Sequence, residues 1–159
     1  MIKVSAFRWV PPFARGLVRD LRVRWALREA GLAYETRLIG PEDQASPSYR
    51  AMQPFGQVPV YEEDGLVLFE SGAILLHIAE RTDVLMPSDG NSRARTTTWV
   101  FAALNSIEPM IQNLVAIDLF HAAESWAKER RPGALKAAQT RLTALSQSSA
   151  AAFHKYSGH

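Results

Sequence analysis

A mixed α/β domain followed by an all-helical segment is the fold class that this 159-residue sequence predicts. Three observations carry it. A strand pattern, a helix pattern and a second strand pattern follow one another between Ile2 and Ile39, the order and length of a βαβ unit with parallel strands. Two short apolar runs flank Asp64-Gly65, a dipeptide suited to a tight hairpin turn, and the second run hands over directly to a helix. Beyond Asn91 the periodicity is helical. The expected division is an α/β domain over 1–82, a linker over 83–91 marked by Pro87 and Gly90, and a helical domain over 92–159.

Taken in order, Ile2 to Phe7 puts Ile2, Val4 and Ala6 on one face of a strand. Arg8 to Gly16 contains Pro11-Pro12 and Gly16 and reads as a loop. Asp20 is placed to cap a helix over Leu21 to Ala30, with Val23, Ala26, Leu27 and Ala30 on one face and Gly31 at its end. Leu32 to Ile39 alternates as a second strand, and Gly40 to Ala45 reads as a loop. Ser46-Pro47 is a cap followed by a proline at the first helical position, which predicts a short helix over Pro47 to Met52. The hairpin strands are Val58 to Glu62 and Leu66 to Phe69, and Ser71 caps a helix reaching about Arg81. A long helix is expected over Ser92 to Ala123 with a kink at Pro109, and another beginning near Pro132-Gly133. The tail from Ser146 loses the apolar stripe and is expected to fray.

Composition narrows the function. The 47% hydrophobic and 21% charged content is that of a soluble globular chain. A net charge of +2 is too weak to argue for nucleic acid, and the arginines between Arg15 and Arg28 read as a solvated helix face. The chain has no cysteine, so disulfides, thiolate metal sites and a cysteine nucleophile are excluded. His77, His121, His154 and His159 lack metal-ligand spacing, so no metal is expected. No run of roughly 18 apolar residues stands out as a membrane span. The N-terminus lacks the basic-then-apolar plan of a signal peptide, so the cytoplasm is the expected compartment.

Two spots in the central stretch suggest chemistry. Pro59 has no N–H to donate and forces Val58 to be extended. With a cis bond there, Val58 would offer its backbone N–H and C=O to an extended peptide, as if adding a strand; a plain turn proline is the simpler reading. Ser71, read as a helix N-cap, also stands where free N–H groups and the helix dipole suit a carboxylate, and Glu70 beside it suits an ammonium group. Together the two charges match the zwitterionic end of an amino acid.

The combination of Val58-Pro59 before a hairpin and Glu70-Ser71 at the next helix start, with the stretch RVRWALREAGLAYE upstream, resembles the thioredoxin-like N-terminal domain of cytosolic glutathione S-transferases. The resemblance covers about the first 82 residues closely and the helical remainder in outline. It implies a mixed four-stranded sheet of order 2-1-3-4, a cis Pro59, and glutathione as co-substrate. By that resemblance Val58 pairs with the cysteinyl backbone, Glu70 and Ser71 hold the γ-glutamyl end, and Gln57 neighbours the glycyl end. It further implies a homodimer and attack of the glutathione thiolate on a small apolar electrophile.

The sequence departs from the family in two places. A free thiol has a pKa near 8.5, so the protein must stabilise the thiolate. Relatives commonly do so with a Tyr, Ser or Cys between the first strand and first helix, and FRWVPPFARGLVRD contains none. Ser5 lies too early, within the strand. Arg15 is the candidate stabiliser, with the backbone N–H groups near Leu17 to Asp20 as the alternative. Trp9, Phe13 and Asn105 are candidates for the electrophile site, with Ser106 and His121 in the same helix as Asn105. The second departure is the end of the chain, where the helices that normally complete the second domain are not evident. Apolar faces are therefore expected to be exposed there and to favour association. A glutathione-conjugating enzyme and a non-catalytic glutathione-binding or protein-interaction module both fit these residues.

Overall fold

The computed structural model describes residues 1–156, with side chains through residue 148. It divides into two compact units, Met1–Thr97 and Thr98–His159.

The first unit is built on four strands, β1 (Ile2–Phe7), β2 (Tyr34–Ile39), β3 (Val60–Glu63) and β4 (Leu66–Phe69), in the order β2-β1-β3-β4. β1 and β2 are parallel, while β3 runs antiparallel to both β1 and β4. This is the mixed sheet that the resemblance implied. The β3–β4 turn needs positive φ at both central residues, and Asp64 (φ 48°) and Gly65 (φ 87°) supply it.

Helix α1 (Asp20–Glu29) lies between β1 and β2 in the chain. Its expected apolar face is real: Val23 and Leu27 are fully buried with Ile2, Val4, Tyr61, Ile74 and Ile78. Asp20 is not its cap. It is the first helical residue, 4% exposed, with its carboxylate 3.2 Å from Arg24 one turn on. Burial pushes this carboxyl above the usual carboxylate range, and the hydrogen bond from Arg24 draws it partway back.

The segment expected as a loop after β2 contains a short helix, α2 (Pro41–Ala45). Three local features build it. Pro41 stands at the first helical position, Glu42 and Asp43 sit in the first turn, and the Asp43 carboxylate accepts the Gly40 N–H at 2.8 Å. Helix α3 (Pro47–Met52) has the predicted bounds, with Ser46 Oγ accepting from Tyr49 N–H. On the sheet, Ile39, Tyr49, Val58 and Val60 form a second buried cluster, against which Phe7, Val18 and Met52 pack. Helix α4 (Ser71–Ala79) follows β4 without a loop.

At the far end of β3, the Tyr61 hydroxyl donates to Glu63, and Arg81 donates to both. The bond from Tyr61, helped by Arg81, holds the Glu63 carboxyl below the usual range. Its folded value is thus below the unfolded one. The stabilisation is present above about pH 4.5, the unfolded value, and is lost as pH falls below it. Glu63→Gln is expected to flatten the acid limb of a pH–stability profile and to lower stability at neutral pH. An acid limb identical to that of the parent protein would refute the assignment.

Helix α5 (Gly90–Ala102) carries the boundary between the units. The long helix expected over Ser92 to Ala123 is interrupted by a π turn (Ala103–Ile107) before α6 (Glu108–Phe120). Pro109 is the cause: it has no N–H, and a regular helix would drive its ring into the carbonyl four residues back. Widening the preceding turn avoids the clash, and Glu108 N–H reaches Ala103 O instead.

Helix α7 (Ser125–Tyr156) begins earlier than Pro132, which lies inside it. What fixes the early start is tertiary. Ala127 and Ala134 pack with Ile117 of α6, and Arg131 forms a two-pronged ion pair with Asp118 at 2.7 and 3.0 Å. The backbone is helical to Tyr156. The side chains of the tail expected to fray lie, from residue 149 on, outside the described residues.

One expectation about membranes needs correction. The helical run Gly90–Phe120 is long and apolar enough to cross a bilayer by length and composition: an 18-residue window within it has a mean hydropathy of 1.3, and 6% of that window is buried. A search for unbroken apolar stretches misses it because Asn105, Ser106, Gln112 and Asn113 interrupt the run.

Candidate functional site

The site starts from the ladder register. Val60 pairs with Phe69 at the last rung of β3 and β4. Because the two strands are antiparallel, the segment entering β3 at Pro59 and the segment leaving β4 at Glu70 lie at the same end of this strand pair. The Val58-Pro59 bond is cis, as the resemblance implied. Val58 therefore stands outside β3, two residues before the strand begins, and the strand is shorter than expected. Its side chain is buried in the second cluster, whereas its backbone N–H and C=O bond to nothing among the described residues. An extended peptide finds one free donor and one free acceptor there.

The approach to Val58 is tightly held. Gln44 Nε2 donates to Gly56 O at 2.7 Å, and Arg50 donates to Gln44 O and Pro54 O. Phe55 N–H donates to the buried Gln53 side chain at 2.6 Å. Gly56 has φ 64°, and a Cβ there would sit 2.6 Å from the Arg50 guanidinium carbon, so no other residue fits without moving that clamp. Gln57 is exposed, with its backbone carbonyl held by the Tyr49 hydroxyl at 2.7 Å.

Across from it, Ser71 is the first residue of α4 and Glu70 occupies the cap position, a one-residue correction to the expected cap. No side chain caps this end. The first backbone hydrogen bond of the helix is from Ile74 N–H to Glu70 O, which leaves the N–H groups of Ser71, Gly72 and Ala73 without a backbone partner. Ser71 is 3% exposed and Glu70 is exposed. The Glu70 carboxylate meets no cation among the described residues, and its backbone takes φ 69°, ψ 114°. A bare helix N-terminus beside a free carboxylate suits a group bearing both charges.

The loop between β1 and α1 contains a 3-10 turn, Pro12–Ala14. Arg15 is exposed and pairs with no carboxylate among the described residues. Leu17 N–H is already bonded to Ala14 O, which removes it as an anion donor, while Val18 N–H is unbonded. Val18 packs against the buried cluster that includes Val58, which ties the segment leading into α1 to that part of the sheet. Trp9 and Phe13 are 72% and 53% exposed, so neither is packed into this unit. Asn105 and Ser106 are exposed on the π turn of the other unit. His121 lies beyond α6, bonded to Glu124 at 2.8 Å and packed at a tilt against Trp126, which accounts for it as a structural residue. Among the described residues no cluster of His, Cys, Asp or Glu is arranged to hold a metal.

Sequence reading missed Tyr49 and placed Ser5 correctly within the first strand, without its hydrogen bonds. Ser5 is 1% exposed, and its hydroxyl is engaged with Val60 N–H and Tyr49. Polar residues at otherwise apolar positions of a strand and a short helix were the available signal.

Residues 14–80 match the family model described as glutathione S-transferase, N-terminal domain. The first unit thus carries the N-terminal domain of the glutathione S-transferase family. A disulfide-bond oxidoreductase of Escherichia coli, YfcG, is 36% identical over 96 residues, which cover 54% of this chain and 44% of that protein. Glutathione S-transferase alpha-2 of Rattus norvegicus is 34% identical over 110 residues, covering 68% of this chain and 49% of that protein. A glutathione transferase from Burkholderia graminis, solved with two glutathione molecules bound per subunit, superposes with a TM-score of 0.78 at 28% identity, over 92% of this chain and 61% of its own. The chain thus spans about half the length of these two curated relatives.

Proposed function

We propose that this glutathione S-transferase relative binds glutathione in its first unit and transfers it to a small apolar electrophile. The observations that support the reading are the unbonded Val58 backbone before β3 and the bare start of α4 after β4, at the same end of one strand pair. The cysteinyl backbone would pair with Val58, the γ-glutamyl carboxylate with the N–H groups at Ser71 and Gly72, and its ammonium group with Glu70. Gln57, exposed at the entrance, would face the glycyl end. The sulfur atom would then lie toward the start of α1, where Val18 N–H and the Arg15 guanidinium are the groups able to favour the thiolate. The thiolate attacks an electrophilic carbon, the C–S bond forms, and the displaced electron pair leaves with the departing group or is protonated by solvent. Trp9 and Phe13 are proposed for the electrophile. A cytoplasmic homodimer is proposed as the working form.

The loop between β1 and α1 favours a second reading, a glutathione-binding module without turnover, because it carries no Tyr, Ser or Cys to hold the thiolate. Retention on immobilised glutathione, followed by a conjugation assay with an electron-poor aryl halide, separates the two. Retention and turnover are expected, with Arg15→Ala lowering kcat about tenfold and leaving retention intact, the loss of roughly one charged interaction. Retention without turnover supports the second reading, and loss of both removes glutathione from the account.

A further inference from the structure

We propose that Ser5 and Tyr49 are positioning residues that hold the Val58 backbone in register for its peptide ligand. This rests on the glutathione reading for the identity of that ligand. Three hydrogen bonds form one chain through the interior. Val60 N–H donates to Ser5 Oγ at 2.7 Å, Ser5 and Tyr49 share a bond of 2.9 Å, and the Tyr49 hydroxyl donates to Gln57 O at 2.7 Å. A phenol has one proton, and Gln57 receives it. Ser5 must therefore be the donor to Tyr49, and every bond in the chain points the same way. Bonds aligned in this manner polarise and strengthen one another. Burial pushes the Tyr49 hydroxyl above its ordinary range, against the opposing bond with Ser5, so it stays protonated at neutral pH.

The placement of the chain gives it its role. Its two ends are the peptide groups flanking Val58-Pro59, the Gln57 carbonyl on one side and the Val60 N–H on the other. Its middle is anchored in β1 and α3, on residues each 1% exposed. The Val58 N–H and C=O themselves remain unbonded. Thus the flanks are fixed from beneath while the ligand-facing pair stays free. Groups held in this way are pre-organised, and the ordering cost does not fall on the ligand. Neither hydroxyl touches the ligand, and both act through Val58.

The test uses Tyr49→Phe, Ser5→Ala, their double variant and Ser5→Thr, which keeps the hydroxyl. Two probes are titrated: glutathione, and γ-glutamylmethylamide, which has the γ-glutamyl end and no cysteinyl backbone. Each single variant is expected to raise the Kd for glutathione about tenfold and that for the amide less than twofold. The double variant is expected to be no worse than the weaker single, because one bond chain is broken once or twice. Ser5→Thr is expected to restore affinity. In the free protein, exchange of the Val60 amide hydrogen is expected to accelerate at least tenfold in Ser5→Ala, with the Ile74 amide unchanged. Parallel losses for both probes, or glutathione affinity retained in both single variants, overturn the positioning role. Failure of the unaltered chain to bind glutathione overturns the glutathione reading instead, and the role with it.

Discussion

Glycine in place of Glu70 is expected to weaken glutathione binding by about tenfold to a hundredfold and at the same time to stabilise the free protein. The two effects have separate causes at one residue. The Glu70 backbone sits at φ 69°, ψ 114°, where a residue with a Cβ is strained by roughly 1–3 kcal/mol. Glycine removes that strain at a cost of about 0.5–1 kcal/mol in unfolded-chain entropy, for a net gain on the order of 1 kcal/mol. The lost carboxylate is exposed and free of any intramolecular cation, so its removal takes away a ligand contact and no described bond. A charge-assisted bond contributes roughly 1.5–3 kcal/mol, which sets the expected loss of affinity. Chemical denaturation and calorimetric titration of the same preparation read both. A variant that loses stability yet binds as before would show that Glu70 is placed for the fold and has no part in recognition.

Ile74→Ala is expected to lower stability by about 2–5 kcal/mol, the cost of a cavity in a fully buried site. Ile74 packs in the core cluster with Val23 and Leu27 of α1 and Tyr61 of β3. The loss is large beside a total stability of about 5–15 kcal/mol. For a unit of this size it corresponds to a fall in thermal midpoint of about 10 °C or more. Ile74→Val, which removes one methyl group, should cost only about 0.5–1.5 kcal/mol. Binding should weaken with Ile74→Ala as well, since the cavity loosens the first turn of α4, whose first backbone bond runs from Ile74 N–H to Glu70 O. A midpoint lowered by only a few degrees would mean that α4 is not held to the sheet by this contact.

These two sites differ in how far they were legible beforehand. The apolar spacing of Val23, Ala26 and Leu27, and of Ile74 and Ile78, specifies which helix faces are buried, and they are. Asp64-Gly65 specifies the hairpin, because few residues accept positive φ in succession. Glu70 and Ser71 were legible as a pair beside a helix start. Which of them is the cap was not, because that depends on one backbone angle set by the passage from β4 into α4. Ser5 was read only as a strand residue too early to serve the thiol. Its partner Tyr49 is distant in sequence, and hydrogen bonds of that separation leave no local pattern.

The same contrast governs the rest of the chain. Local physics determined the elements and their order: side-chain period, turn dipeptides, prolines at helix starts and the absence of cysteine are properties of short stretches. By itself, therefore, the sequence determined an α/β unit followed by helices and singled out Val58-Pro59 and Glu70-Ser71. The tertiary structure decided what depends on distant partners. Burial turned Asp20 from a cap into an interior ion pair. Packing on α6 started α7 before its proline. The rung between Val60 and Phe69 put two separate motifs at the same end of one strand pair, and the Val58 backbone stayed free with its flanks tied to Ser5 and Tyr49. A free donor, a free acceptor and a bare helix start form a site only when the register brings them together, and register is a property of paired strands.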